Sequence, residues 1–147
     1  MSGPGAYQGL LRDASRAGVY HLPVAGRAEL LAAAEACGYA VFSIELAEVR
    51  GKAGLFAALA RDMAMPEWFG KNWDALADCL GDLDWRPAEG YLVLLEHCDL
   101  LHEHAAADLA AALQIFQAAA EEWRAQDIAF WCLVGIEADG LAWLPGL

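Results

Sequence analysis

Two stretches constrain the fold more than any others. Residues 90–96 (GYLVLLE) and 128–134 (IAFWCLV) are almost continuously apolar. A strand with one wet face alternates apolar and polar side chains. An unbroken apolar run instead fits a strand buried on both faces, as in a parallel sheet covered by helices. Residues 18–22 (GVYHL), ended by Pro23, and residues 39–46 (YAVFSIEL) read as two further strands.

The segments between them carry helical patterns. Residues 27–37 are rich in Leu and Ala and are followed by Gly38, a good C-terminal cap. Residues 52–63 place Leu55, Phe56 and Leu59 at helical spacing. Residues 72–82 open with Asn72, whose side-chain oxygen can accept an orphan backbone N–H. Over residues 105–125, Leu109, Leu113, Phe116, Ala120 and Trp123 form a stripe that faces a core. The order β-α-β-α-α-β-α-β predicts one small α/β domain. Its sheet is expected to be three- to four-stranded and mostly parallel, with helices on its faces. A chain of 147 residues suits one such unit. Residues 1–17, rich in Gly, Ala and small polar types, are expected to form a flexible arm.

Charge points to where function lies. The chain has 9 Lys+Arg against 21 Asp+Glu, a net of −12. That balance argues against nucleic acid and against an anionic membrane as partners, and suits a basic protein. Residues 62–108 alone carry a net of −9, with Lys71 and Arg86 their only cations. Solubility would be served as well by scattered charge.

Within that third of the chain, a helix over 72–82 gathers Trp73, Leu76, Leu80 and Leu83 on one side. Asp74, Asp78 and Asp82 fall on the opposite side at i, i+4 and i+8, with Ala77 and Gly81 beside them. Like charges one turn apart destabilise a helix, and no Lys or Arg relieves them from Asn72 through Trp85. Two readings stand: a solvated acidic face, or a row of carboxylates that receives a cationic partner. The loop before the helix, MPEWFGK, carries Trp68 and Phe69. Phe69 and Trp73 suit the core, whereas Trp68 suits either the core or a binding hot spot.

Other chemistry is poorly supported. Adjacent turns of an exposed helix offer neither the apolar pocket nor the two walls that an acid pair needs for glycoside hydrolysis. His97, Cys98, His102, Glu103 and His104 have ligand atoms, but His102 and His104 diverge on a helix, and the segment reads as a loop with incidental histidines. Gly51-Lys52 lacks the upstream glycine of a phosphate loop, and Ala53 stands where it needs Ser or Thr. No catalytic residue, metal or cofactor is therefore expected. Cys37, Cys79, Cys98 and Cys132 are scattered beside apolar segments and read as free thiols. The N-terminal residues lack the pattern of a secretory signal, and no apolar run approaches the ~20 residues needed to cross a bilayer. A cytoplasmic protein is the expectation.

The stretch Lys52-Ala-Gly-Leu-Phe, followed by residues 65–80 (MPEWFGKNWDALADCL), resembles the barstar family of intracellular ribonuclease inhibitors. The resemblance extends more loosely over residues 39–135. It implies a barstar-like domain there, an N-terminal βα extension at 18–38 packed on it, and a tail at 136–147. It further implies a protein that plugs the basic cleft of an extracellular-type ribonuclease as a monomer in a 1:1 complex. By position, Asp78 would sit where an RNA phosphate sits and Asp74 would pair with cations of the enzyme. Trp68 would pack on the catalytic face, and Asn72 and Gly81 would line the contact. Leu76 and Cys79 would be structural. Asp82 and Trp85 complete the expected partner-binding set with Ala77, which stands where the namesake has a large aromatic. On the later helix Ala118 replaces an acidic residue. These departures leave room for an alternative: an immunity or interaction module of the same fold, binding another basic toxin or a non-nuclease partner.

Overall fold

The structure, a computed structural model, describes residues 4–23, 25–66 and 69–136. Along the chain it runs α1 (Pro4–Leu11), a short 3-10 turn (Ala14–Arg16), β1 (Val19–His21), α2 (Arg27–Ala36), β2 (Ala40–Glu45), α3 (Lys52–Asp62), α4 (Trp73–Asp82), β3 (Tyr91–Glu96), α5 (Asp99–Arg124) and β4 (Phe130–Val134). The four strands form one sheet in the order β1-β4-β3-β2, and every pairing is parallel. Tyr91 is paired with Ala40 on one side and Phe130 on the other, so the apolar runs become the two inner strands.

Burial on both faces follows from this position. Tyr91, Val93 and Leu95 of β3 and Phe130, Cys132 and Val134 of β4 point to one face, where α3, α4 and α5 cover them. Leu92, Leu94, Trp131 and Leu133 point to the other, into a separate core with Tyr7, Leu10 and Leu11 of α1 and Leu30, Ala33 and Ala34 of α2. The result is three layers, with the N-terminal segment supplying the third.

The expectation of a flexible arm therefore needs correction over residues 7–17. Tyr7, Leu10, Leu11, Ala14 and Ala17 are buried. Pro4 suits the first helical position, where its missing N–H costs nothing. The C-terminal carbonyls of α1 would be orphaned if buried unmet. Leu11 O instead accepts from Tyr39 Oη at 2.7 Å and from Trp131 Nε1 at 3.0 Å. Arg27 at the start of α2 donates to both carboxylate oxygens of Glu96, each at 2.9 Å, and Ser43 also bonds that carboxylate. Burial alone would raise the Glu96 carboxyl, but the hydrogen bonds from Arg27 and Ser43 outweigh it and hold the pKa below its ordinary value.

The last helix also differs from expectation. It begins at Asp99 and is interrupted by non-helical backbone at Ala105. His102 and His104 thus lie in its exposed first turns, whereas His97 precedes it with φ 60° and its Nδ1 2.8 Å from Glu45 Oε1. No helix among the described residues is long and apolar enough to cross a membrane. The expected tail lies outside the described residues from position 137 onward.

Candidate partner-binding face

The helix that carries the acidic row is fixed at its start by its own sequence. Asn72 adopts an extended conformation, and its Oδ1 accepts the Ala75 N–H at 2.8 Å. Lys71 turns the chain with φ 53°. Gly70 lies so close to Asn72 that a Cβ there would sit 3.1 Å from the amide nitrogen. Phe69 is buried and Trp73 half-buried, and both rings pack around Phe56 with centroids 6.1 Å and 4.8 Å away. The aromatic pair expected in the core is in the core.

The far end is fixed by tertiary contacts. Leu83 caps α4 in the left-handed region (φ 50°), its N–H donating to Cys79 O at 3.0 Å. That conformation costs a non-glycine residue roughly 1–2 kcal/mol, and complete burial of the Leu83 side chain offsets it. Leu80 O is one of the carbonyls left over at a helix C-terminus. It accepts from the buried Trp123 Nε1 of α5 at 2.8 Å. Leu76, Cys79 and Leu80 are fully buried beneath the helix. Burial, with Asp78 and Asp82 nearby, pushes the Cys79 thiol up to about 11.

The opposite side of α4 is open. Asp74, Ala77, Asp78 and Asp82 are exposed and Gly81 is half-buried. Among the described residues no cation forms an ion pair with the three aspartates. Asp74 lies in the first turn, where the helix dipole favours an anion, whereas Asp82 lies in the last, where it does not. The helix therefore holds the row against its own electrostatics, through capping and through the apolar side beneath.

Of the residues expected to bind a partner, Asn72, Asp74, Ala77, Asp78, Gly81 and Asp82 come together on α4 and its cap. Trp68 lies outside the described residues. Trp85 is half-buried, and its Nε1 donates to Met63 O at 3.1 Å, joining the turn after α4 to the end of α3. One residue was not foreseen. A Cβ on Gly81 would sit 3.1 Å from Glu122 Oε2, so a carboxylate of α5 lies flush against the acidic face. Nothing local in the sequence signals this, because Glu122 and Gly81 belong to different helices. Among the described residues no group of three His, Cys, Asp or Glu side chains is placed to hold a metal ion.

The family described as Barstar (barnase inhibitor) matches residues 39–135, from the start of β2 to just past β4. No curated protein matches the chain. The matched segment contains α4 and the loop before it, and leaves α1, β1 and α2 outside.

Proposed function

The chain belongs to the barstar family, and from that premise we propose that it inhibits a basic extracellular-type ribonuclease. In this reading α4 and the loop before it enter the enzyme's cleft and occlude it stoichiometrically, as a monomer in a 1:1 complex formed in the cytoplasm. The chain acts by binding, and no residue of it performs catalysis. The observation that carries the reading is the exposed, cation-free row of Asp74, Asp78 and Asp82 on a helix anchored at both ends.

The physical logic is charge mimicry. A ribonuclease cleft presents Arg, Lys and His to hold phosphate. Carboxylates one helical turn apart offer those cations a substitute at fixed spacing. Opposed fields also speed encounter, so the association rate falls as salt rises. Rigid presentation matters because ordering a side chain or loop on binding opposes association. Asp78, at the middle of the row, takes the phosphate position, and Asp74 pairs with a neighbouring cation. Trp68 is assigned the aromatic contact on the enzyme face, with Asn72, Ala77, Gly81, Asp82 and Trp85 around it.

Ala77 favours a second reading. It leaves a small, exposed surface between two aspartates where the namesake has a large aromatic. A partner of different shape, such as another basic toxin, would suit that surface. The experiment is to titrate the protein into assays of several basic microbial ribonucleases. Stoichiometric loss of activity, abolished by Asp78→Ala, is expected. If none is inhibited and a basic partner recovered from the source cells has no nuclease activity, the ribonuclease reading fails and the second replaces it.

A further inference from the structure

The acidic face and the N-terminal segment lie on different layers, yet a short chain of hydrogen bonds joins them. On α5, Trp123 and Arg124 are consecutive and point different ways. Trp123 Nε1 donates to Leu80 O, one of the carbonyls that α4 leaves over in its last turn. Arg124 donates from Nε to Ala14 O at 3.3 Å and from Nη2 to Ala17 O at 2.5 Å, both in the segment around the 3-10 turn. Two turns earlier on the same helix, Gln117 Oε1 accepts the Val19 N–H at 3.1 Å. The end of α5 is thus held on one side by the N-terminal segment while it holds α4 on the other. Glu122, which lies against Gly81, sits on the same turn.

We propose that Arg124 is a positioning residue for the partner-binding face. Seating its guanidinium on Ala14 and Ala17 sets where Trp123 and Glu122 stand, and so fixes Gly81, Asp82 and the last turn of α4. The N-terminal segment then serves binding without touching the partner. This rests on the reading of α4 as the contact surface, but the coupling is a property of the free protein and is tested there.

The measurement is amide hydrogen exchange on the full chain, comparing Arg124→Gln, Trp123→Phe and the double variant. Arg124→Gln is expected to speed exchange at residues 14–19 and at 80–83 by about two- to tenfold, the factor that one ordinary hydrogen bond contributes. Amides at the start of α4 and in β3 should be unmoved. Trp123→Phe, which keeps a ring and loses the N–H, should speed residues 80–83 and leave 14–19 alone. Because Arg124 acts through its neighbour, the double variant should be no faster at 80–83 than Trp123→Phe. Arg124→Lys, which retains a donor, should restore part of the protection.

Two results would overturn the proposal: residues 80–83 exchanging in Arg124→Gln as in the parent, or every region accelerating together. The second would make Arg124 a contributor to overall stability alone. With a basic ribonuclease that the parent inhibits, Arg124→Gln should raise the dissociation rate and leave the salt dependence of association unchanged. An altered salt dependence would place Arg124 in the contact itself and also overturn the proposal. If no ribonuclease is inhibited while the exchange pattern holds, the inhibitor reading fails and the coupling stands.

Discussion

Replacing Asp78 by Asn should make the protein more stable and a poorer binder at once. Asp and Asn have similar helix propensities, so the change removes charge and little else. Asp78 is exposed, pairs with no cation among the described residues, and stands one turn from both Asp74 and Asp82. Each like-charge neighbour at that spacing costs ~0.2–0.5 kcal/mol, so relieving two is worth about 0.4–1 kcal/mol. For a domain of this size that raises the Tm by roughly 1–4 °C. Thermal and urea unfolding of parent and variant in dilute buffer would read the gain. At 1 M salt the screening length shrinks to about 3 Å, and most of the gain should vanish. Affinity for the partner should fall at least about tenfold, or 1.4 kcal/mol, because a cation in the cleft loses its counter-charge. A loss of stability at low salt would refute the reasoning, since it would mean that Asp78 is held by a favourable interaction within the fold. A gain that persists at 1 M salt would refute its electrostatic origin.

Asn72→Ala removes the acceptor of the Ala75 N–H and should cost about 1 kcal/mol in urea unfolding; an unchanged midpoint would remove the cap from the account of α4. Glu96 carries a pKa lowered by Arg27 and Ser43 against the opposing effect of burial. A carboxyl lowered in the folded state stabilises above its unfolded pKa, so this contribution should fade as pH drops through and below about 4.3. Unfolding from pH 7 to 3 should show a shallower acid limb in Glu96→Gln. Burial pushes the Cys98 thiol up to about 12, with Asp99 and Glu45 adding to it, and places Cys132 well above the ordinary range. A thiol reagent at pH 8 should therefore label Cys37 first and reach Cys79, Cys98 and Cys132 only on unfolding.

What could be read from the sequence was whatever the chain encodes locally. The apolar runs of β3 and β4 announced a sheet covered on both sides. The wheel of α4 separated Leu76 and Leu80 from Asp74, Asp78 and Asp82 as the structure does. Asn72 signalled its own cap. The misses arise where tertiary contacts decide. Gly9 weakens α1 as an isolated helix, yet Tyr7, Leu10 and Leu11 have the i, i+3, i+4 spacing of a buried stripe. That helix is held by Tyr39 and Trp131, which come much later in the chain. Leu83, not a glycine, takes the left-handed cap of α4, a choice that only its burial explains. Glu122 reaches the acidic face through helix packing that no local pattern records.

The pairing of the first strand with the last has a kinetic consequence. Within the sheet of the described residues, the strand that β1 pairs with is β4, nearly the whole described chain away. Bringing them together means closing a very long loop, and non-local contacts of this kind slow folding. As the ribosome delivers the chain, α1 and α2 emerge well before β4 and have no Trp131 or Leu133 to cover until it is made. A truncated or half-made chain can form the local turns of α4, yet it lacks Trp123 to hold Leu80 O in that helix's last turn. Maturation of the acidic face should therefore be a late, all-or-none event.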